Sequence, residues 1–278
     1  MRYHLERHRV LIDNDWAGDP DGLAALAHHV LSPTDEVVAV TSSSLSPVFG
    51  DPAGTAARGA AAADELLELL GEERPGAAVA GCDQAFGSEG RNSAAATRIV
   101  QEARRGSADS PLLIVCGGPL TNIADALRAD PGIVESITLA WVGGSADSGD
   151  FEYNRDTDVA AHDFVFSHDA LTIYSFPIDV YRAIALTVAE LEDRLSSAGP
   201  VGEWLWDRYA NLPLPPGMVA DPVWPLGDSA PLALSTLGPG AGTYRAAGPN
   251  RFVCERLEGR LIIEDFFARL RLHSRHCR

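Results

Sequence analysis

Short apolar runs recur along the chain at residues 10–12, 37–41, 77–80, 112–116, 137–142 and 171–174. Helix-compatible segments lie between several of them, among them 21–31 and the alanine-rich 55–70. Runs of this length that are apolar at successive positions read as strands covered on both faces. Their alternation with helices predicts a three-layer α/β fold, a mostly parallel sheet flanked by helices around a Rossmann-like core. The first run leads into an acidic, glycine-containing turn and then a helix start, which is one strand, loop, helix unit. No internal repeat or low-complexity linker divides the chain, so residues 1–278 are expected to form one domain, with the proline-rich 211–225 as a loop.

In open α/β sheets ligands bind beyond the carboxyl ends of the strands, so the residues that follow each run are where chemistry is expected. After the first run come Asp13, Asn14, Asp15, Trp16, Ala17, Gly18, Asp19, Pro20 and Asp21. Ser42, Ser43 and Ser44 follow the second, and Gly81, Cys82 and Asp83 the third. The fourth is followed by Gly117 through Asn122 and the fifth by Gly143, Gly144 and Ser145. Four carboxylates, at 13, 15, 19 and 21, fall within nine residues with no basic side chain among them. They repel one another unless protons or a cation intervene, and a hard divalent ion with oxygen ligands is the natural counter-charge. The alternative is a solvated acidic turn in which Asp21 caps the helix.

Composition narrows the chemistry. The 278 residues carry 22 basic against 39 acidic side chains, a formal charge of −17, which excludes nucleic acid as the main partner. Every basic residue is arginine. Without lysine there is no Walker-type phosphate loop, no pyridoxal-phosphate chemistry and no Schiff-base aldolase. Cys82, Cys116, Cys254 and Cys277 show no metal-type spacing and suit a reducing compartment, so a cytoplasmic location is expected. No apolar run reaches signal-peptide or membrane-span length, and no membrane association is expected.

The acidic loop resembles the N-terminal signature of the inosine-uridine-preferring nucleoside hydrolases, an Asp-x-Asp-Pro-Gly-x-Asp-Asp loop after the first strand. Residues 10–15 align directly, whereas the loop here is two residues longer and reads Asp19-Pro20-Asp21-Gly22 where the family has adjacent aspartates. Either Asp19 or Asp21 therefore takes the second metal-ligand position. Gly118-Pro119-Leu120-Thr121-Asn122-Ile123-Ala124 is similar to another family segment, in which the preceding residue, Gly117 here, offers its carbonyl to calcium. Val142-Gly143-Gly144 and Gly149-Asp150-Phe151-Glu152-Tyr153-Asn154 resemble a shortened sugar-binding block, which implies ribose contacts for Glu152 and Asn154. Asp158-Val159-Ala160-Ala161 matches the helix that follows it, and Asp228, within residues 225–233, takes the place of the last metal carboxylate.

The resemblance implies a calcium-dependent hydrolase that cleaves the N-glycosidic bond of a purine or pyrimidine nucleoside to free base and sugar. Asp15, Asp19 or Asp21, Asp228 and the Gly117 carbonyl would hold the metal, and Asp13 or Asp15 would take a proton from the attacking water. Asp19, Asp21, Asn122, Asp150, Glu152 and Asn154 are the candidate substrate contacts. Negative charge around the sugar suits an oxocarbenium-like transition state. Three departures stand out: Gly227 replaces the family's usual histidine beside the late aspartate, the serine-rich 42–46 replaces an asparagine, and Asp150 replaces another. They keep open a catalytically silent nucleoside or sugar binder on the same scaffold. A haloacid-dehalogenase-type phosphatase also fits Asp13-Asn14-Asp15, but the missing lysine disfavours it. Homo-oligomerisation is left open.

Other residues have plainer expectations. Of His28 and His29 in the first helix, one should be partly buried and the other solvated. His162 and His168 should lie on a helix surface or end. His4, His8, His273 and His276 sit near the termini, where disorder is the default, and the basic stretch from Arg269 reads as a solvated end. Trp16 either stacks on a substrate or packs the loop against the core. Trp204, Leu205 and Trp206 read as core anchors of a late helix, and Trp224 as a wall of the pocket.

Overall fold

The computed structural model describes residues 7–71, 78–89, 91, 93–145, 150–212, 221–238 and 240–276. Gly149, Ala77, His4, Cys277 and residues 213–220 of the proline-rich stretch lie outside the described residues. The strands are β1 (His8–Asn14), β2 (Asp35–Ser42), β3 (Ala78–Ala80), β4 (Leu112–Cys116), β5 (Ile137–Val142), β6 (Thr172–Phe176), β7 (Ala185–Thr187), β8 (Val223–Pro225), β9 (Gly242–Gly248) and β10 (Arg251–Leu257). The helices are α1 (Asp21–Val30), α2 (Thr55–Leu69), α3 (Ala94–Ala103), α4 (Thr121–Ala129), α5 (Tyr153–Thr157), α6 (Val159–Phe166), α7 (Ile178–Tyr181), α8 (Val188–Ser196), α9 (Pro200–Ala210), α10 (Leu232–Ser235) and α11 (Gly259–His276).

Eight strands form one sheet in the order β3-β2-β1-β4-β5-β6-β10-β9, parallel except for the last pair, and β7 and β8 make a separate antiparallel ribbon. Alternation along β1 explains the layering. Val10 and Ile12 face a core shared with α1, α2, α8, α9 and α11, while Leu11 faces a second core with α3, α4 and α6. Burial on both faces is what made β1, β2, β4 and β5 legible as apolar runs. The last hairpin had no such signal, because β9 is mostly exposed and β10 interrupts its apolar residues with Arg251, Glu255 and Arg256.

The structure corrects several of the plainer expectations. His28 and His29 are both fully buried, because α1 is sandwiched between the sheet and neighbouring helices. His8 lies in β1 and His273 and His276 in α11. Arg269 is tied down within that helix by Asp265 and donates from Nη1 to the Leu31 carbonyl at 3.1 Å. No described helix is long and apolar enough to cross a membrane.

Candidate active site

Strand order reverses between β1 and β4, and the crevice at such a switch point opens where both carboxyl ends diverge. Asp13 ends in register with Thr41 on one side and Cys116 on the other. Its carboxylate is correspondingly enclosed: Oδ1 accepts from Thr41 Oγ1 at 2.6 Å and Asn122 Nδ2 at 2.8 Å, and the Cys116 thiol lies 3.7 Å from Oδ2. Burial pushes this carboxyl up to about 7, against the downward pull of those bonds. Asn122 is fully buried as well, with its own Oδ1 facing Ser93 Oγ at 3.4 Å. Asp13 and Asn122 thus form a deep layer behind the crevice.

The loop after β1 places the other acids in front. Trp16 anchors it, 2% exposed and donating its indole N–H to the Thr41 carbonyl at 2.8 Å, which is the packing role. Asp19 is exposed, and its Oδ1 accepts the Asp21 amide at 3.1 Å. Asp21 opens α1, and its Oδ2 accepts the Asp228 amide at 3.3 Å across the crevice. Asp228 Oδ2 accepts from Asn14 Nδ2 at 2.8 Å, and Asp15 Oδ2 from the Tyr153 hydroxyl at 3.0 Å.

Burial, then Asp228 and Asp19, hold the Asp15 carboxyl well above its ordinary range. Burial followed by Asp19 and Asp228 does the same to Asp21. Asp228 is pushed up to about 7 by burial and Asp19. The group is therefore short of positive charge. Among the described residues, though, no three acidic, histidine or cysteine side chains form a preformed metal cage. Asn14 and Tyr153 each donate to one oxygen of the group.

The wall opposite comes from the segment after β5. Glu152 caps α5 and is fully buried, accepting the Asn154 and Arg155 amides. Asn154 donates from Nδ2 to the carbonyls of Gly117 at 3.0 Å and Val142 at 2.9 Å, and its Oδ1 is buried without a partner among the described residues. Glycine is needed at 117, since a Cβ there would sit 2.7 Å from Asp228 Cγ. Ser43 Oγ, Ser229 Oγ and the Tyr209 hydroxyl are further buried atoms without partners among the described residues. Tyr209 packs edge-on against Trp224, ring centroids 5.8 Å apart.

Asp15, Asp19, Asp21 and Asp228 interact electrostatically, and Gly117, Glu152 and Asn154 line the adjoining wall. Asp13 and Asn122 stand behind them. Asp150 is exposed, its backbone carbonyl held by Arg155. Asp83 does structural work instead, accepting the Gly54 and Ala56 amides at the start of α2. Asn14, Tyr181 and Tyr209 were not singled out by motif or spacing. Tyr181 and Tyr209 carry no local signal, because the fold brings them in from α7 and α9.

The family model described as inosine-uridine preferring nucleoside hydrolase matches residues 10–233 of this chain. Among solved structures, the chain is similar to a purine-preferring ribonucleoside hydrolase from Gardnerella vaginalis, with 17% identity, 96% of this chain and 100% of that one covered, and a TM-score of 0.75. It is similar to a plant nucleoside hydrolase at 17% identity, over 95% and 98% of the two chains, with a TM-score of 0.71. It is also similar to an inosine-uridine preferring nucleoside hydrolase from Bacillus anthracis at 13% identity, over 95% and 99%, with a TM-score of 0.61. No curated protein matches the sequence. At such identities the structural likeness speaks for the fold alone, while residues 10–233 contain every candidate position above.

Proposed function

The chain belongs to the inosine-uridine preferring nucleoside hydrolase family, hydrolases acting on N-glycosyl bonds, and on that premise we propose that it splits a nucleoside into base and sugar in the crevice around Asp15, Asp21 and Asp228. The observation that carries this reading is the set of three carboxyls whose proton affinity is raised by burial and by neighbouring acids at the sheet's switch point. The unpartnered Asn154 Oδ1 and Ser43 and Ser229 hydroxyls supply the polar contacts a sugar needs.

The donor set suits a hard cation: every candidate atom is oxygen, the carboxylates are buried or half-buried, and their charge is unbalanced. Calcium would be held by Asp15, Asp21, Asp228 and the Gly117 carbonyl. Asp21 is preferred over Asp19 because it meets Asp228 directly while Asp19 faces solvent. Bound there, calcium would supply positive charge and lower the pKa of a coordinated water.

The protein's own groups do the rest. Asp15 takes the proton of the attacking water, since Asp13 is enclosed by Thr41 and Asn122 and acts by fixing the layer behind it. Asn154 Oδ1 accepts a sugar hydroxyl while its Nδ2 keeps the Gly117 carbonyl in place. The surrounding carboxylates stabilise the cationic sugar as the bond breaks. With Gly227 beside Asp228, no imidazole stands there to protonate the departing base. Release of reducing sugar from a nucleoside panel, with and without chelator, tests the proposal: turnover lost with chelator is expected. No release from any nucleoside by calcium-loaded protein would overturn it.

A further inference from the structure

Glu152 accepts four hydrogen bonds from the described residues. Oε1 takes the Asn154 amide at 3.2 Å and the Tyr181 hydroxyl at 3.3 Å, and Oε2 the amides of Gly144 at 2.8 Å and Arg155 at 2.9 Å. A carboxylate offers about four acceptor positions, so this one is full before any ligand arrives. Three of its donors are backbone groups of the first α5 turn and of the loop after β5, and they leave only if the local fold does. Tyr181 differs. Its donor is a rotatable hydroxyl at the end of a side chain, and it makes the longest of the four bonds.

The ring that carries this hydroxyl is held in position. A Cβ at position 227 would lie 2.8 Å from Tyr181 Cδ2 and 3.5 Å from Asp21 Oδ2, so the ring fills the space over Gly227 between Glu152 and the carboxylate group. Tyr181 is only half-buried, whereas Glu152 is fully buried. A ligand hydroxyl approaching Glu152 therefore meets the phenol first.

We propose that Tyr181 is a specificity-determining residue: its hydroxyl holds the one exchangeable position on Glu152 and sets how strongly the crevice selects for the substrate hydroxyl that reaches this end. The inference rests on reading the crevice as a nucleoside site. In the native protein a substrate hydroxyl gains Glu152 only in exchange for Tyr181, so net selection is weak. Removing the phenol oxygen leaves a buried carboxylate one donor short, an expensive state that a ligand hydroxyl relieves.

The test compares native protein and Tyr181→Phe on inosine and uridine and on their 2′-, 3′- and 5′-deoxy analogues. Selectivity is read as the ratio of kcat/KM between parent and deoxy compound, or of Kd by calorimetry if nothing is turned over. In Tyr181→Phe, the ratio for one hydroxyl should rise by about tenfold or more, the value of one charge-assisted hydrogen bond, while the others stay put. Unchanged ratios for all three hydroxyls would overturn the inference and leave the hydrolase reading standing. A shifted ratio in binding without turnover would do the reverse, and absence of both binding and turnover would sink both.

Discussion

Two buried acidic regions lie at opposite ends of the β1–β2 pair and behave in opposite ways. At the start of β2, Asp35 Oδ2 accepts from His29 Nδ1 at 2.6 Å, Ser235 Oγ at 2.9 Å and Thr236 Oγ1 at 3.3 Å. Burial alone would raise this carboxyl, but His29 and Ser235 carry it below its ordinary range. At the far end, burial pushes Asp15, Asp21 and Asp228 upward, and acidic neighbours, Asp19 above all for Asp21 and Asp228 and Asp228 for Asp15, add to it instead of opposing it. Both regions contain buried atoms without partners, Asp35 Oδ1 among them, so imperfect hydrogen bonding does not separate them. The sign of the neighbouring charge does. Asp35 is paired with His29 within the fold, whereas the crevice carboxyls face other acids.

The largest effect should come from breaking the crevice. Asp15→Asn removes the proposed base, and a fall in kcat of about 10²- to 10⁴-fold is expected from the usual value of general acid–base catalysis. Stability should move the other way. A carboxyl whose folded pKa is raised costs stability as pH climbs from 3.8 towards the folded value, so metal-free Asp15→Asn should melt above native protein at pH 7 and match it near pH 4. Thermal melts in chelator at the two pH values, alongside kcat, check both halves. Loss of activity with loss of stability would mean that Asp15 is structural.

Asp35→Ala is the converse. It strands His29 beside the vacated space, and removing one partner of a buried pair costs about 3–5 kcal/mol. Denaturant unfolding should show that loss while kcat/KM of the surviving folded protein stays within about twofold, since the site lies at the other end of the strands. A comparable loss of kcat/KM would join the two regions. His28 extends the same contrast to pH. Burial first, opposed by Asp265, lowers its pKa to about 4 against 6.5 when unfolded. The unfolded chain then binds the extra proton between those values, so stability falls as pH drops through that window, by about 3 kcal/mol in all. His28→Gln should flatten that limb of the stability curve, and an unaltered limb would assign it to other groups.

How much of this contrast was readable beforehand depends on the range of the interactions. The acidic loop, the Gly117 to Asn122 segment and Asp228 announce themselves through local residue pattern, because strand, turn and helix start are local events. Their roles do not. Asp13 and Asp15 sit two residues apart, yet Asp13 is still within β1, fixed by Thr41 and Asn122, whereas Asp15 lies past the strand's end in the loop, beside Tyr153. Whether Asp19 or Asp21 meets Asp228 depends on where α1 begins. The surroundings of His28 and His29 depend on helices more than 200 residues away in sequence: Asp265 of α11 meets His28, and Ser235 of α10 meets Asp35, the partner of His29. Tyr181 and Gly227 form a size-matched pair visible only once α7 and the turn before α10 are set together.

The smallest effect, and the sharpest separation of the two regions, should come from calcium itself. A ligand that binds only the folded state stabilises it by RT ln(1 + [L]/Kd), about 2.7 kcal/mol at a hundred times Kd. If the crevice acids are the ones short of positive charge, native protein stripped with chelator should gain that stability when calcium is restored, seen as a rise of a few degrees in Tm. Asp35→Ala, although weakened, should show the same increment, because its missing carboxylate is not among the crevice acids. Asp228→Ala should show little of it, having lost a charged ligand. An increment that survives in Asp228→Ala would place the ion elsewhere. No increment in native protein at millimolar calcium would mean that Asn14 and Tyr153 hold these oxygens more firmly than the cation can, and that the carboxyls reach neutrality by protonation instead.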